Sequence, residues 1–378
     1  MTTARRVPIA VPSVGEEEWQ ALREPLATGW LTQGPKVAAF EEAFAERHGV
    51  EHALATTSCT TALHLALVAM GIGPGDEVIV PAFTWVATAN VVVHCGATPV
   101  FVDVDERSYN LDPALLSERV TPRTRAVIPV HLFGLCADMD AIRGVLPEDV
   151  LVLEDAACAA GAAYRGRPAG ALGHAGAFSF HPRKSITCGE GGMITTDDDA
   201  LAEHATRLRN HGAAVSEEAR HRTASAFLLP DFDEPGFNYR MTDLQAAVGL
   251  VQLGKLDHFV ADRDRWARWY AEELAAIEWL EPPLVPDGYN HAWQAYVCRV
   301  SAGAPGTREE LMEQLEDRGV STRPGTHAVV ELGVYRERIA PDAFPVARAL
   351  HRDSLALPLH NRMGPEDFEH VVASLRLL

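Results

Sequence analysis

The chain carries 33 Lys+Arg, yet its only lysines are Lys36, Lys184 and Lys255. Lys184 sits in the apolar stretch FSFHPRKSITCGEGGMITT (178–196). Arginine stays protonated under cellular conditions, whereas a lysine can lose its proton when desolvated and then act as a nucleophile. Asp155 ends the apolar run LVLED, where a carboxylate belongs on a loop rather than inside a strand. Alone it reads equally as a helix cap or a buried acceptor. Ser58, Cys59, Thr60 and Thr61 lie between a strand-like and a helix-like run. Their hydroxyls and N–H groups could cradle a phosphate at a positive helix end, or simply cap the helix. Trp85 follows a strand in AFTW, either as core or as a lid on a flat ring. Ser179 precedes Lys184 by five residues, and Gly189, Gly191 and Gly192 follow it. GEGG lacks the spacing of a Walker loop, and a tight turn before MITT is its simpler reading.

Together these residues supply an amine, a carboxylate, an aromatic face and a hydroxyl-lined cradle. That is the inventory pyridoxal phosphate needs: a lysine for its aldehyde, a carboxylate for its pyridine nitrogen and donors for its phosphate.

The elements around them alternate. EHALATTS, DEVIVP, TPVFVDVD, RAVIPVHLFG and DVLVLEDAA read as strands; TTALHLALVAMG, ATANVVVHCG and DMDAIRGVLP read as helices. Apolar strands separated by helices of about ten residues imply βα units around a buried, mainly parallel sheet. Ligands of such sheets bind beyond the carboxyl ends of the strands, where Asp155, Ser58 and Trp85 fall. A longer helical pattern runs from Met241 to about Ile277, with a bend expected at Gly254. The division placed there gives a large unit, 1–254, and a smaller α+β unit, 255–378. In the latter AYVCRVS reads as a strand, and TREELMEQLEDRG and PEDFEHVVASLRLL as helices.

Composition narrows the field. A net charge of −19 disfavours nucleic acid, which needs clustered cations. No apolar run approaches the ~18 residues of a membrane span. MTTARRVPIAVPSVGEEEWQ lacks the apolar core of a secretory signal, so the cytoplasm is the expected location. The six cysteines form no C-x-x-C pair and the histidines no H-E-x-x-H, so neither a metal site nor a disulfide framework is expected.

The sequence resembles the DegT/DnrJ/EryC1/StrS aminotransferases, the sugar aminotransferase branch of the fold-type I pyridoxal-phosphate enzymes. The resemblance runs nearly end to end, through GWLTQGPKVAAFE, TTSCTTALHLAL, GPGDEVIVPAFTWVATAN, GATPVFVDVD, PVHLFG, LEDAACAAGA, GAFSFHPRKSITCGEGGMITT and GFNYRMTDLQAAVGLVQL. It implies a large domain with a mostly parallel mixed sheet and a small C-terminal domain. It also implies that Lys184 forms the Schiff base and shuttles the proton, its pKa depressed beside the cationic imine, and that Asp155 pairs with the pyridinium nitrogen. Thr60, the backbone around Thr61, and Ser179 would hold the phosphate, and Trp85 would stack on the ring. Asn238 would reach a phosphate across a homodimer interface.

Three departures from the family pattern stand out. Cys158 replaces a glutamine or histidine that normally bonds the ring oxygen; its thiol either faces that oxygen or is a small buried group facing away. Cys59 gives S-C-T for the usual S-G-T. In GVSTRPGTHAVVELGVY, Arg323 and His327 replace a tyrosine-containing segment, as substrate contacts or as incidental charge on a surface loop.

The resemblance implies transfer of an amino group from glutamate or glutamine to a keto-sugar, nucleotide-linked by expectation. A keto-cyclitol is an alternative substrate. Dehydration is disfavoured because dehydrating relatives carry histidine where Lys184 stands. A non-catalytic scaffold is the rival of another class, disfavoured by the intact Lys184, Asp155 and Ser179.

Overall fold

The computed structural model describes residues 5–213, 231–337, 339–340 and 342–378. Its centre is a seven-stranded sheet. The strands are β1 (His52–Thr56), β2 (Glu77–Pro81), β3 (Thr98–Val102), β4 (Thr124–Val127), β5 (Leu151–Asp155), β6 (Ala175–Ser179) and β7 (Gly192–Thr196). They lie in the order β1-β7-β6-β5-β4-β2-β3. The pairings from β6 through β3 are parallel, while β7 runs antiparallel to both β6 and β1. The fold is α/β with a mixed, mostly parallel sheet.

Most positions of the seven strands are buried because both faces of the sheet are covered. Side chains alternate between the faces. Val78, Val80, Ala126, Leu153 and Ala177 enter one buried cluster, whereas Ile79, Val127, Val152 and Phe178 enter another. Helix α1 (Pro35–His48) closes the second with Phe40 and Phe44. Helices α2 (Cys59–Ala69) and α3 (Ala87–His94) close the first.

A long helix, α4 (Asp243–Leu274), leaves the large sheet and enters the smaller unit. It runs unbroken through Gly254, so the bend expected there does not form. Packing on either side explains this: Leu256 and Phe259 hold to the large sheet's cluster, while Tyr270 and Leu274 belong to the smaller unit's. The cost of glycine in a helix interior, roughly 1 kcal/mol, is small against that burial. The proposed division at 254 therefore falls inside one helix. Val7, although N-terminal, also joins the smaller unit's core and pairs with Val320.

The smaller unit holds a four-stranded antiparallel sheet of β8 (Leu280–Glu281), β9 (Tyr296–Val300), β10 (Arg323–Pro324) and β11 (Ser354–Leu357), ordered β8-β9-β11-β10. Two ties bind it to the large sheet near the strands' carboxyl ends. His327–Ala328 pairs antiparallel with Phe83–Thr84, just after β2. Asp103, just after β3, accepts from the N–H groups of Val346 and Ala347 at 3.0 and 2.8 Å, capping the helix Pro345–Asp353.

Candidate active site

Asp155 is the last residue of β5 and only 5% exposed. Thr88, on α3, donates its hydroxyl to Asp155 Oδ2 at 2.7 Å, and the Ala157 N–H reaches Oδ1 at 3.2 Å. Among the described residues no cation forms an ion pair with this carboxylate. Burial pushes its pKa up, and the Thr88 and Ala157 hydrogen bonds only partly oppose the rise. A buried carboxylate without a cationic partner is costly, and a protonated ring nitrogen is the kind of partner that offsets the cost.

Beneath it a second polar pair fixes the strand end. His131 and Glu154 are fully buried, with Nε2 and Oε2 2.7 Å apart. His131 Nδ1 accepts from the Ala137 N–H at 3.1 Å, which leaves Nε2 to donate to the carboxylate. Glu154 in turn gathers the N–H groups of Gly170, Leu172 and Gly173 at 2.6–2.7 Å.

Lys184 lies on the loop between β6 and β7. Its N–H turns back to the His181 carbonyl at 2.8 Å. Its Nζ donates to Cys158 Sγ at 3.1 Å, three residues beyond Asp155. Of the two readings of Cys158, the thiol thus turns toward the lysine. Burial works to lower the ammonium's pKa, but the sulfurs of Cys158 and Cys59 and the Asp155 carboxylate carry it upward overall. In the chain by itself these neighbours favour the charged amine.

The start of α2 resolves what the hydroxyls there do. Ser58 is the cap: its Oγ accepts from the Thr61 N–H at 3.2 Å, and Thr61 Oγ1 accepts from the Ser58 N–H at 3.0 Å. The side chains of Ser58 and Thr61 are committed to the helix. Cys59 points into the core, its thiol 3.5 Å from the Ala177 carbonyl. What faces outward is the exposed Thr60, with the first N–H groups of the helix, which have no intrahelical acceptor.

Gly192 brings this helix end against β7. A Cβ there would fall 2.4 Å from the carbonyl of Ser58 and 2.6 Å from the nitrogen of Cys59, a clash with backbone that only glycine avoids. Gly192 also pairs with Ser179 across the sheet, so the helix N-terminus and the Ser179 hydroxyl become neighbours. A positive helix end beside a serine suits a phosphate.

Trp85 is 59% exposed, its ring tilted against His327 with centroids 5.5 Å apart. The strand pairing after β2 thus brings His327 of the smaller unit to the site. Arg323 is exposed at the start of β10. Asn238 is exposed and paired with Asn210, and the carbonyl of the next residue, Tyr239, accepts from the Thr57 N–H at 3.1 Å. Sequence reading missed Thr88. The available signal was its place one helical turn after Trp85, on a helix starting beyond β2.

A cavity of about 840 Å³ lies elsewhere, lined by Glu41, His52, Asp199 and Arg209. It contains neither Lys184 nor Asp155, and the clustered chemistry locates the site better than volume does.

An α/β sheet presenting a lysine, an unpaired buried carboxylate and a helix end beside a serine defines a pyridoxal-phosphate enzyme. Residues 12–376 match the model of the DegT/DnrJ/EryC1/StrS aminotransferase family, and the chain belongs to that family. It is 43% identical over 378 residues to GDP-perosamine synthase of Caulobacter vibrioides, covering 99% of each chain. It is 42% identical over 376 residues to the spore coat polysaccharide biosynthesis protein SpsC of Bacillus subtilis, covering 98% of this chain and 96% of that one. Its fold matches the Streptococcus pneumoniae protein Spr1654 in its PLP-form with a TM-score of 0.90 at 27% identity, covering 99% of this chain and 98% of that one. The protein is a pyridoxal-phosphate-dependent aminotransferase of amino-sugar biosynthesis. Among the described residues no helix is long and apolar enough to cross a membrane.

Proposed function

We propose that this enzyme transfers an amino group from glutamate to a nucleotide-linked keto-deoxyhexose, with Lys184 as the group that moves the proton. The observation that carries the site assignment is that the Lys184 amine bonds Cys158, three residues after the unpaired carboxylate of Asp155 that ends β5. The substrate class rests on similarity to a protein named GDP-perosamine synthase.

Pyridoxal phosphate, when bound, supplies an aldehyde that exchanges amino groups and a ring that withdraws electrons from the reacting carbon. Asp155 would hold the ring nitrogen's proton, with Thr88 and the Ala157 N–H keeping that carboxylate aimed. Thr60, the first N–H groups of α2, and Ser179 would bind the phosphate. Trp85 would cover the ring and exclude water from one side. Lys184 Nζ, tethered by a short turn, would hold and move the proton in each half of the exchange. Cys158 offers only a weak donor beside that amine, in place of an amide or imidazole.

The exposed Asn238 side chain has no hydrogen bond among the described residues, and the carbonyl of the next residue, Tyr239, accepts from the Thr57 N–H just before α2 at 3.1 Å. We assign Asn238 to the site of a second copy, in a homodimer with shared active sites.

The test is to incubate the loaded enzyme and glutamate with GDP-, UDP- and dTDP-linked keto-deoxyhexoses and with keto-inositols, following aminated products by mass. Amination of at least one nucleotide-linked sugar is expected. Amination of the free cyclitols alone would contradict the proposal.

A further inference from the structure

Most of the described arginines of this acidic chain are engaged. Arg299 bonds Glu106 and Glu281 at 2.9 and 3.1 Å, Arg209 holds Glu41, and Arg263 donates to Asn361 at 2.8 Å. Arg183 and Arg323 are among the exposed few that differ, together with Arg23, Arg107 and Arg336. What sets the two apart is their place in the chain near Lys184 and His327. Among the described residues neither guanidinium has a hydrogen bond or an ion pair, although carboxylates outnumber cations by 52 to 33 in the sequence. The bonds of Arg183 are made by its backbone: its N–H donates to His181 Nδ1 at 3.3 Å and its carbonyl accepts from Gln294 Nε2 at 2.9 Å.

The two residues come from different units, and each lies near in sequence to a residue placed at the site. Arg183 immediately precedes Lys184 on the loop after β6. Arg323 opens β10, pairs with Ala356 and lies four residues before His327, which packs against Trp85. They are close enough to feel each other: partial burial first, and then the positive charge of Arg323, lower the pKa of Arg183. Two exposed like charges that sense each other, with no carboxylate bonded to either among the described residues, form an arrangement that an anion would relieve.

We propose that Arg183 and Arg323 form a two-armed clamp for the diphosphate of the nucleotide-linked sugar. The inference rests on the substrate class proposed above and adds the residues that recognise it. Planar guanidinium groups bind phosphate oxygens in pairs, which fixes orientation as well as charge. The diphosphate is remote from the reacting carbon. It belongs at the rim, where both guanidiniums are exposed, rather than beside the buried Asp155. Held there, the nucleotide directs the sugar's carbonyl inward toward Lys184.

The experiment titrates cofactor-loaded wild type, Arg183→Gln and Arg323→Gln with GDP and UDP by calorimetry. It also follows the glutamate-driven change in cofactor absorbance. Each variant should weaken nucleoside-diphosphate binding about tenfold or more, the scale of a lost charged hydrogen bond, and move glutamate affinity much less. Arg183→Lys should recover part of the loss. Unchanged diphosphate affinity in both variants would overturn the clamp. So would a loss confined to glutamate, which would assign the pair to the donor's carboxylates. A wild-type enzyme that binds no nucleoside diphosphate and aminates no nucleotide-linked sugar would overturn the substrate class as well. Turnover of such a sugar with unaffected variants would overturn the clamp alone.

Discussion

In the chain alone, Lys184 Nζ spends a hydrogen bond on Cys158 Sγ, and the balance of its surroundings favours the charged amine. That has a kinetic consequence for capturing the cofactor, because only the neutral amine attacks an aldehyde. Burial alone would lower the ammonium's pKa; the sulfur is the foremost of the groups that raise it. Cys158→Ala removes that opposing group, so the lysine's pKa falls and the neutral fraction at a given pH grows, about tenfold for each unit. Apoenzyme of this variant should therefore bind pyridoxal phosphate faster than wild type near pH 8, with the pH profile of the rate moved to lower pH. Stopped-flow absorbance checks it, and superimposable profiles would show that the thiol has no hold on the amine. Lys184 and Asp155 were legible because their residue types are out of place: a lysine in an arginine-rich chain and a carboxylate ending an apolar run. Thr88 was not legible, since a threonine in a short helix looks ordinary until the fold aims it at Asp155. The unpartnered state of Arg183 is likewise invisible before side chains are placed.

The elements contribute by how closely they approach one another. Gly192 lets the N-terminus of α2 lie against β7, beside Ser179. Gly192→Ala would place a methyl group inside backbone atoms of Ser58 and Cys59, where no flexible side chain can yield. The helix end must shift, at a cost of about 1–3 kcal/mol of the kind overpacking exacts. Because the shifted end is the proposed phosphate site, cofactor affinity should fall about tenfold or more, while the variant's circular dichroism remains that of the wild type. Equilibrium dialysis of pyridoxal phosphate measures this; wild-type affinity would remove the helix end from the phosphate site. The alternation of strands and helices was readable, because buried parallel strands are apolar throughout and their helices are short. The GEGG turn was read correctly as a turn, but the reason for Gly192 lies in a contact between residues more than 130 positions apart in sequence. The unbroken course of α4 through Gly254 was hidden for a similar reason. Packing on both sides of that glycine outweighs its local preference.

At the scale of the molecule, the proposed site draws on two units and one loop. The large sheet supplies Asp155 and Ser179, the loop supplies Arg183 and Lys184, and the smaller unit supplies Arg323 and His327 through its pairing with the segment after β2. Asn238 is exposed, and the proposed homodimer assigns it to the site of a second copy. The central claim is that Lys184 is the residue to which the cofactor attaches. Borohydride reduction of the cofactor-loaded enzyme, followed by proteolysis and peptide mass mapping, tests it with few rivals, because the chain has only two other lysines. The account predicts the phosphopyridoxyl mass on Lys184. The same mass on Lys36 or Lys255, or no modified lysine in enzyme shown by absorbance to be loaded, would contradict it.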